Sequence, residues 1–380
     1  LFAQGGNVRM EAVEEIYKKR AEKLQSLMAS DNIGGFLFTA SPNLLYMTGF
    51  SEGQMPRFLS LLVPTHHEPM FLVPALYEEQ IRENTWVNTI IPWADGEDPF
   101  AKMQSLLSSK GMDASTIAVD DTLWSIFLLN LKGQLPKARF ISGGKYMKTL
   151  RRVKSQHEKE LMMKIGAITD KVMEKAIAFI KPGVSELTIV DFIESELRRM
   201  DAGPSTAQPI VGSGPYSAQP HYRPQTEKLI QQGDAVVLDF GGTLEHYHSD
   251  MTRTVFVGEP DVEFQRIYDA VRKAHDAAMA FAKPGVRCEE VDSQARRVIT
   301  DSGYGEYFIH RTGHGIGLEV HEEPYIVEGN TTILEPGMAF SIEPGVYIPG
   351  RYGVRIEDCV IVTEAGVEPF TKFRSELTVI

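Results

Sequence analysis

Cysteine is almost absent from this sequence: only Cys288 and Cys359 occur in 380 residues. Two cysteines build no disulfide framework, and a reducing cytoplasm is the expected compartment. Long apolar runs are missing too. The strongest, Phe36-Leu37-Phe38 and Phe58-Leu59-Ser60-Leu61-Leu62-Val63, fall far short of the roughly 20 residues that cross a bilayer, so no membrane partner is expected. Residues 1–9 lack the charged-then-apolar order of a secretory leader and read as a flexible extension ahead of Met10. Positive charge is in deficit: 39 Lys and Arg against 51 Asp and Glu leave a net charge of −12, which argues against nucleic acid as a partner. What is present, 43% hydrophobic and 24% charged residues, is ordinary globular composition and excludes a disordered or fibrous chain. At roughly 150 residues per domain, the length predicts two domains.

Over residues 1–150 short helical and strand patterns alternate. Residues 20–27 read as helix and 35–38 as a buried strand. Residues 59–63 and 70–73 form a strand pair around Thr65-His66-His67, and further strands follow at 117–119 and 139–141. This predicts an α/β domain with a mixed sheet. After Arg151-Arg152-Val153-Lys154, the run Ser155-Gln156-His157-Glu158 is a capping box that opens a long helix. The second domain therefore covers 151–380.

That domain is written twice. A helix with Leu161, Ile165, Ile168, Val172, Ala176 and Phe179 on one stripe stops at Lys181-Pro182-Gly183, and a second helix runs through Leu187, Ile193 and Leu197. A stripe of Ile267, Val271, Ala274, Ala278 and Phe281 stops at Lys283-Pro284-Gly285, with 283 − 181 = 102. The strand of Asp239 (Gly233-Asp234-Ala235-Val236-Val237-Leu238-Asp239) matches the one of Glu343 (Gly337-Met338-Ala339-Phe340-Ser341-Ile342-Glu343), with 343 − 239 = 104. Two repeats at nearly equal offset predict an α+β domain with an internal pseudo-twofold.

Alternate side chains of a strand share a face. Val236, Leu238 and Phe240 oppose Asp239; Phe340 and Ile342 oppose Glu343; Asp250 faces with Thr252 and Thr254. Over 354–362, Val354, Ile356, Val360 and Val362 oppose Arg355 and Glu357. Each strand thus has an apolar back and one carboxylate in front. Solvent-facing carboxylates fit the same alternation, but histidines join these. Residues 310–324 hold three of the chain's ten His, with Gly313, Gly315 and Gly317 permitting close backbone approach. Four converging carboxylates repel one another unless cations compensate them. Two divalent ions balance the four charges, and one histidine completes five protein ligands, the arrangement of two-metal hydrolysis with a bridging water or hydroxide. Oxygen-rich donors favour manganese, with cobalt and zinc as alternatives.

At these residues the chain resembles the M24 metallopeptidase family of prolidase, aminopeptidase P and methionine aminopeptidase, which has the pita-bread fold. The match runs from about Ser155 to the end and is most specific over residues 310–322. Asn43-Leu44-Leu45-Tyr46-Met47-Thr48-Gly49-Phe50 resembles the creatinase-like N-terminal domain of the proline peptidases. The resemblance implies a creatinase-like domain over 1–150 and a pita-bread domain over 151–380. It implies the metal ligands Asp239, Asp250, His314, Glu343 and Glu357, with Asp250 and Glu357 chelating or bridging and Glu343 also acting as proton shuttle. His221 and His321 are implied to stabilise the oxyanion or steady the scissile amide. His310 matches a proline-pocket residue, and Arg355 is implied to orient Glu357 or the substrate. The implied reaction is hydrolysis of Xaa-Pro dipeptides. An Xaa-Pro aminopeptidase acting on longer peptides, and a same-fold hydrolase or lyase on a small non-peptide substrate, stay open. Residues 322–338, where certain dipeptidases carry an arginine for the substrate carboxylate, contain none. By the same resemblance the chain is expected to form a homodimer.

Overall fold

A computed structural model describes residues 3–205 and 208–380, with side chains from residue 14 onward. The chain divides into two compact units, Leu1–Leu150 and Arg151–Ile380. The first contains α1 (Ala3–Ser30), β1 (Gly35–Thr39), α2 (Pro42–Thr48), β2 (Ser60–Pro64), β3 (Met70–Pro74), α3 (Glu78–Asn84), β4 (Thr89–Trp93), α4 (Pro99–Ser109), β5 (Thr116–Val119), α5 (Ser125–Gln134), β6 (Arg139–Ser142) and the start of α6 (Gly144–Arg151). Of the extension expected over 1–9, the first two residues lie outside the described ones. From Ala3 onward the backbone is already helix, because a helix nucleated in the good formers downstream extends at little cost.

The six strands form one sheet in the order β4-β3-β2-β1-β5-β6. β2 runs antiparallel to β1 and β3, and the remaining pairs are parallel, so the sheet is mixed as expected. Central β1 is buried at every position, which is why Gly35-Phe36-Leu37-Phe38-Thr39 reads as a continuous apolar run rather than an alternation. His66 and His67 lie exposed in the turn after β2.

The second unit opens with α7 (Gln156–Phe179) and α8 (Glu186–Arg199), then β7 (Ile210–Ser213), β8 (Ala235–Phe240), the short pair β9 (Thr243–Leu244) and β10 (Tyr247–His248), and β11 (Met251–Phe256). It continues with α9 (Val262–Phe281), α10 (Cys288–Asp301), β12 (Gly313–Gly315), β13 (Glu322–Ile326), β14 (Ala339–Ile342), β15 (Gly345–Ile348), β16 (Tyr352–Arg355), β17 (Asp358–Val362), β18 (Val367–Pro369) and β19 (Thr378–Val379). The capping box is formed: Ser155 Oγ accepts from the Glu158 amide, and the Glu158 carboxylate accepts from the Ser155 amide at 2.7 Å.

The duplication extends to single hydrogen bonds. The Gly183 amide donates to Ile230 O at 2.9 Å and the Ile230 amide to Val184 O at 2.8 Å. In the second copy Gly285 donates to Leu334 O at 3.0 Å and Leu334 to Val286 O at 2.8 Å. Gly183 and Gly285 have φ 90° and 86°, Gly233 and Gly337 φ 89° and 93°, so glycine recurs where the backbone must turn left-handed. Each helix pair packs on its own sheet. Ile165, Val172, Ile189 and Ile193 meet Val236, Leu238 and Phe240; Ile267, Val271, Val291 and Ile299 belong to one core with Phe340, Ile342, Val360 and Val362. Burying such side chains contributes roughly 1.5–3 kcal/mol each, which fixes which face of each strand turns to the helices and leaves the carboxylates on the other.

Residues 354–362 depart from the expected single strand. Ile356 and Glu357 fall between β16 and β17. There the backbone leaves its sheet neighbours: the Glu357 amide donates to Thr252 O at 3.1 Å, and Thr254 Oγ1 accepts from the Arg355 amide at 3.0 Å while donating to its carbonyl at 2.9 Å. β11 thus stitches the two repeats together and carries Glu357 to the carboxylates of the first.

Candidate metal centre

Strand geometry sets out the acidic side chains. Asp239 lies within β8, opposite Thr252 of β11. Asp250 immediately precedes β11, Glu343 immediately follows β14, and Glu357 occupies the break before β17. His314 is the middle residue of β12, a strand made possible by its glycines: a Cβ on Gly313 would stand 1.8 Å from Ser341 O, and one on Gly315 2.4 Å from the Glu323 backbone. Close approach of β12 to its neighbours delivers His314 to the carboxylates.

The donor atoms of Asp250, His314 and Glu357 all lie within 4.8 Å of one another. His314 Nε2 is 3.3 Å from Glu343 Oε1 and 4.0 Å from Asp250 Oδ2. His314 Nδ1 is 3.2 Å from the Gly315 carbonyl, which can only accept; that places the proton on Nδ1 and aims the Nε2 lone pair at the carboxylates. Asp239 adjoins Asp250, and its carboxylate accepts from Arg355 Nη2.

The groups are electrostatically strained as they stand. Burial, then the charges of Asp239 and Glu343, pushes Asp250 well above the carboxylate range. Burial, then Asp250, does the same to Glu357. Glu343 is pushed up to about 7 by burial, against the pull of Arg355, and burial with the neighbouring His321 drives His314 down to about 3. Glu357 Oε2 accepts from Thr252 Oγ1 at 2.7 Å, yet the buried Oε1 has no hydrogen-bond partner among the described residues. A buried carboxylate oxygen without a donor, beside an imidazole lone pair and further carboxylates, is the donor set of a hard divalent cation. The residues fit the group.

A cavity of about 810 Å³ opens onto this cluster, and every site residue expected from sequence lines it: Asp239, Asp250, His314, Glu343, Glu357, His221, His310, His321 and Arg355. His221 and His321 are exposed to it, and His321 meets the His314 ring edge to face at 4.2 Å. His310 is spent on the protein. Its Nδ1 lies 2.7 Å from Arg311 O and its Nε2 2.8 Å from the Tyr347 hydroxyl, so Tyr347 donates to it while accepting from Arg355 Nη1 at 2.8 Å. It lines the cavity, and burial, then Arg355, drives its pKa down to about 4. Arg355 contacts Asp239, Tyr347 and, at 3.0 Å, Thr252 Oγ1, so it reaches Glu357 through the threonine hydroxyl.

Sequence reasoning did not assign Tyr347, Ser341, His248 or Arg311. Ser341 Oγ donates to Glu343 Oε1 at 3.2 Å. Tyr347 is four residues beyond Glu343 on the same alternation, a signal hidden by the turn at Pro344. His248 is buried on the cavity wall, whereas His246 is exposed in the hairpin.

A duplicated pita-bread unit with an acid-and-histidine cluster on the front of its strands defines a metallohydrolase. Comparison with known proteins narrows this. Residues 160–364 match the model of metallopeptidase family M24, and residues 20–153 match the creatinase/prolidase N-terminal domain. The chain is 38% identical, over 99% of both sequences, to a probable dipeptidase PepE of Mycobacterium tuberculosis. It is 36% identical to an Xaa-Pro dipeptidase of Lactobacillus delbrueckii, over 94% of this chain and 98% of that one. A recombinant prolidase from Thermococcus sibiricus superposes with TM-score 0.92 at 36% identity, covering 96% of this chain and 99% of that one. The chain belongs to metallopeptidase family M24, with a creatinase-type N-terminal domain. Among the described residues, no helix is long and apolar enough to cross a membrane.

Proposed function

We propose that this peptidase hydrolyses the imide bond of Xaa-Pro dipeptides, using two divalent ions held by Asp239, Asp250, His314, Glu343 and Glu357. Manganese suits the four carboxylates and single imidazole best. When bound, such ions supply Lewis acidity and lower the pKa of a water molecule. Glu343 takes the proton of the attacking water and passes it to the leaving proline nitrogen. His221 and His321, the two histidines exposed in the cavity, donate toward the developing oxyanion or the scissile amide. His310, its nitrogens occupied, offers an apolar face to the proline ring. Arg355 holds the Asp239 carboxylate in place.

The convergence of Asp250, His314 and Glu357 around an unpartnered carboxylate oxygen carries this reading, and the full-length likeness to a protein named Xaa-Pro dipeptidase supports its substrate class. We assign 1–150 as the creatinase-like domain and 151–380 as the catalytic domain, working in the cytoplasm. A homodimer is supported by Ile126 and Leu129, which stand 54% and 64% exposed three residues apart on α5. Metal analysis of the purified protein, with parallel assays on Xaa-Pro dipeptides and Xaa-Pro-Xaa tripeptides, tests the function. Two ions per chain and dipeptide cleavage are expected. Tripeptide preference makes the chain an aminopeptidase, and cleavage of neither overturns the peptidase reading.

A further inference from the structure

A dipeptide carries its free carboxylate on the carbon next to the leaving nitrogen, about 2.5 Å from it. Whatever reads that carboxylate must therefore stand beside the hydrolytic residues. The segment 322–338 offers no arginine, but three arginines line the cavity: Arg223, Arg311 and Arg355. Arg355 is fully engaged by Asp239, Tyr347 and Thr252. Arg223 is exposed. Arg311 differs from both. It is half-buried, three residues before His314, and its guanidinium lies over the Tyr325 ring at 4.3 Å. Among the described residues its guanidinium makes no hydrogen bond or ion pair. Its charge is felt by His314, His321 and Glu343, so it sits within electrostatic reach of the residues assigned to the chemistry.

We propose that Arg311, held against Tyr325, is the specificity-determining residue that binds the free C-terminal carboxylate of the substrate. The stack on Tyr325 orients the planar fork and leaves its N–H edge open for a two-point contact with a carboxylate, which a neutral amide cannot match. The segment without an arginine still takes part, since it supplies the tyrosine that braces one from the stretch leading into β12. This inference deepens the Xaa-Pro dipeptidase reading and rests on it.

The test compares the metal-loaded enzyme on Ala-Pro and on Ala-Pro amide. The wild type is expected to prefer the acid by at least about tenfold in kcat/KM, a ratio that corresponds to 1.4 kcal/mol. Arg311→Gln should bring the acid-to-amide ratio to near one, with the loss lying in KM for the acid. Arg311→Lys, which keeps the charge without the fork, should restore part of it, and the melting temperature of each variant separates loss of fold from loss of recognition. A wild type without acid preference, an Arg311→Gln enzyme that keeps it, or loss of the preference in Arg223→Gln instead overturns the proposal. If neither compound is cleaved, the peptidase reading fails. Calorimetric titration with L-proline and L-prolinamide then reads Arg311 separately: tighter binding of proline, lost in Arg311→Gln, supports its role, and equal binding of the two overturns it.

Discussion

Single side chains decide the chemistry, and Glu343 is the one with two demands on it. In the proposed reaction it both holds an ion and accepts and releases a proton. Glu343→Gln keeps the shape and the Ser341 contact but cannot carry a proton, so kcat should fall by about 10²–10⁴-fold. Near-ultraviolet circular dichroism should match the wild type, and activity retained within tenfold would remove Glu343 from proton transfer. His310 acts differently because both its nitrogens are bonded. Replacing it with Ala removes ring area from the cavity wall; losing ~50 Å² at ~25 cal/mol/Å² is ~1.2 kcal/mol, roughly an eightfold rise in KM for proline substrates. Metal content should not change, and an unaltered KM would exclude the ring from the pocket. The carboxylates were legible in the sequence because each interrupts an apolar alternation. Tyr347 was not, because the alternation had to be followed through Pro344. Arg311 lay beside a flagged histidine, but nothing in its spacing distinguishes a braced cation from a solvated one.

At the level of elements, β12 and β13 depend on a buried ion cluster. Glu322 opens β13 and takes Lys154 Nζ on one oxygen and Arg151 Nη2 on the other. The Lys154 side chain is 1% exposed and that of Glu322 8%, so Glu322→Gln leaves a buried ammonium without its counter-charge. A loss of about 3–5 kcal/mol is expected. Although burial opposes it, the pull of Lys154 and Arg151 holds the Glu322 pKa below the ordinary glutamate value of 4.5. Its contribution is therefore present above pH 4.5 and disappears as pH falls through the depressed value. Urea titrations from pH 6 downward should show a shallower acid decline for Glu322→Gln than for wild type; parallel declines would show that the cluster does not govern acid stability. Sequence exposed the helices of this unit well, through the Ser155 capping box and the Lys-Pro-Gly stops. It missed the break at Ile356 and Glu357 because Val354, Ile356, Val360 and Val362 keep an even spacing straight across it. Only the tertiary bond from Glu357 to Thr252 marks where one strand ends.

For the molecule as a whole, the duplication and the metal centre are one feature. Asp239 and Glu343 are equivalent residues of the two repeats, so the fold brings like charges together by its own symmetry, and Arg355 offsets only part of that charge until cations bind. This makes stability depend on metal and pH jointly. Without metal, Asp250, Glu343 and Glu357 have raised pKa values in the folded protein. Between the ordinary carboxylate range and those values the native state holds more protons than the unfolded chain, and stability falls as pH rises. Bound divalent ions keep the same groups deprotonated in the native state and abolish that slope, while adding the free energy of ligand linkage. Thermal melts of chelator-treated and manganese-loaded protein should accordingly differ little near pH 5 and increasingly toward pH 8. A gap of constant size would mean that the ions bind outside the carboxylate cluster, and a gap that narrows with rising pH would mean that protonated side chains hold them.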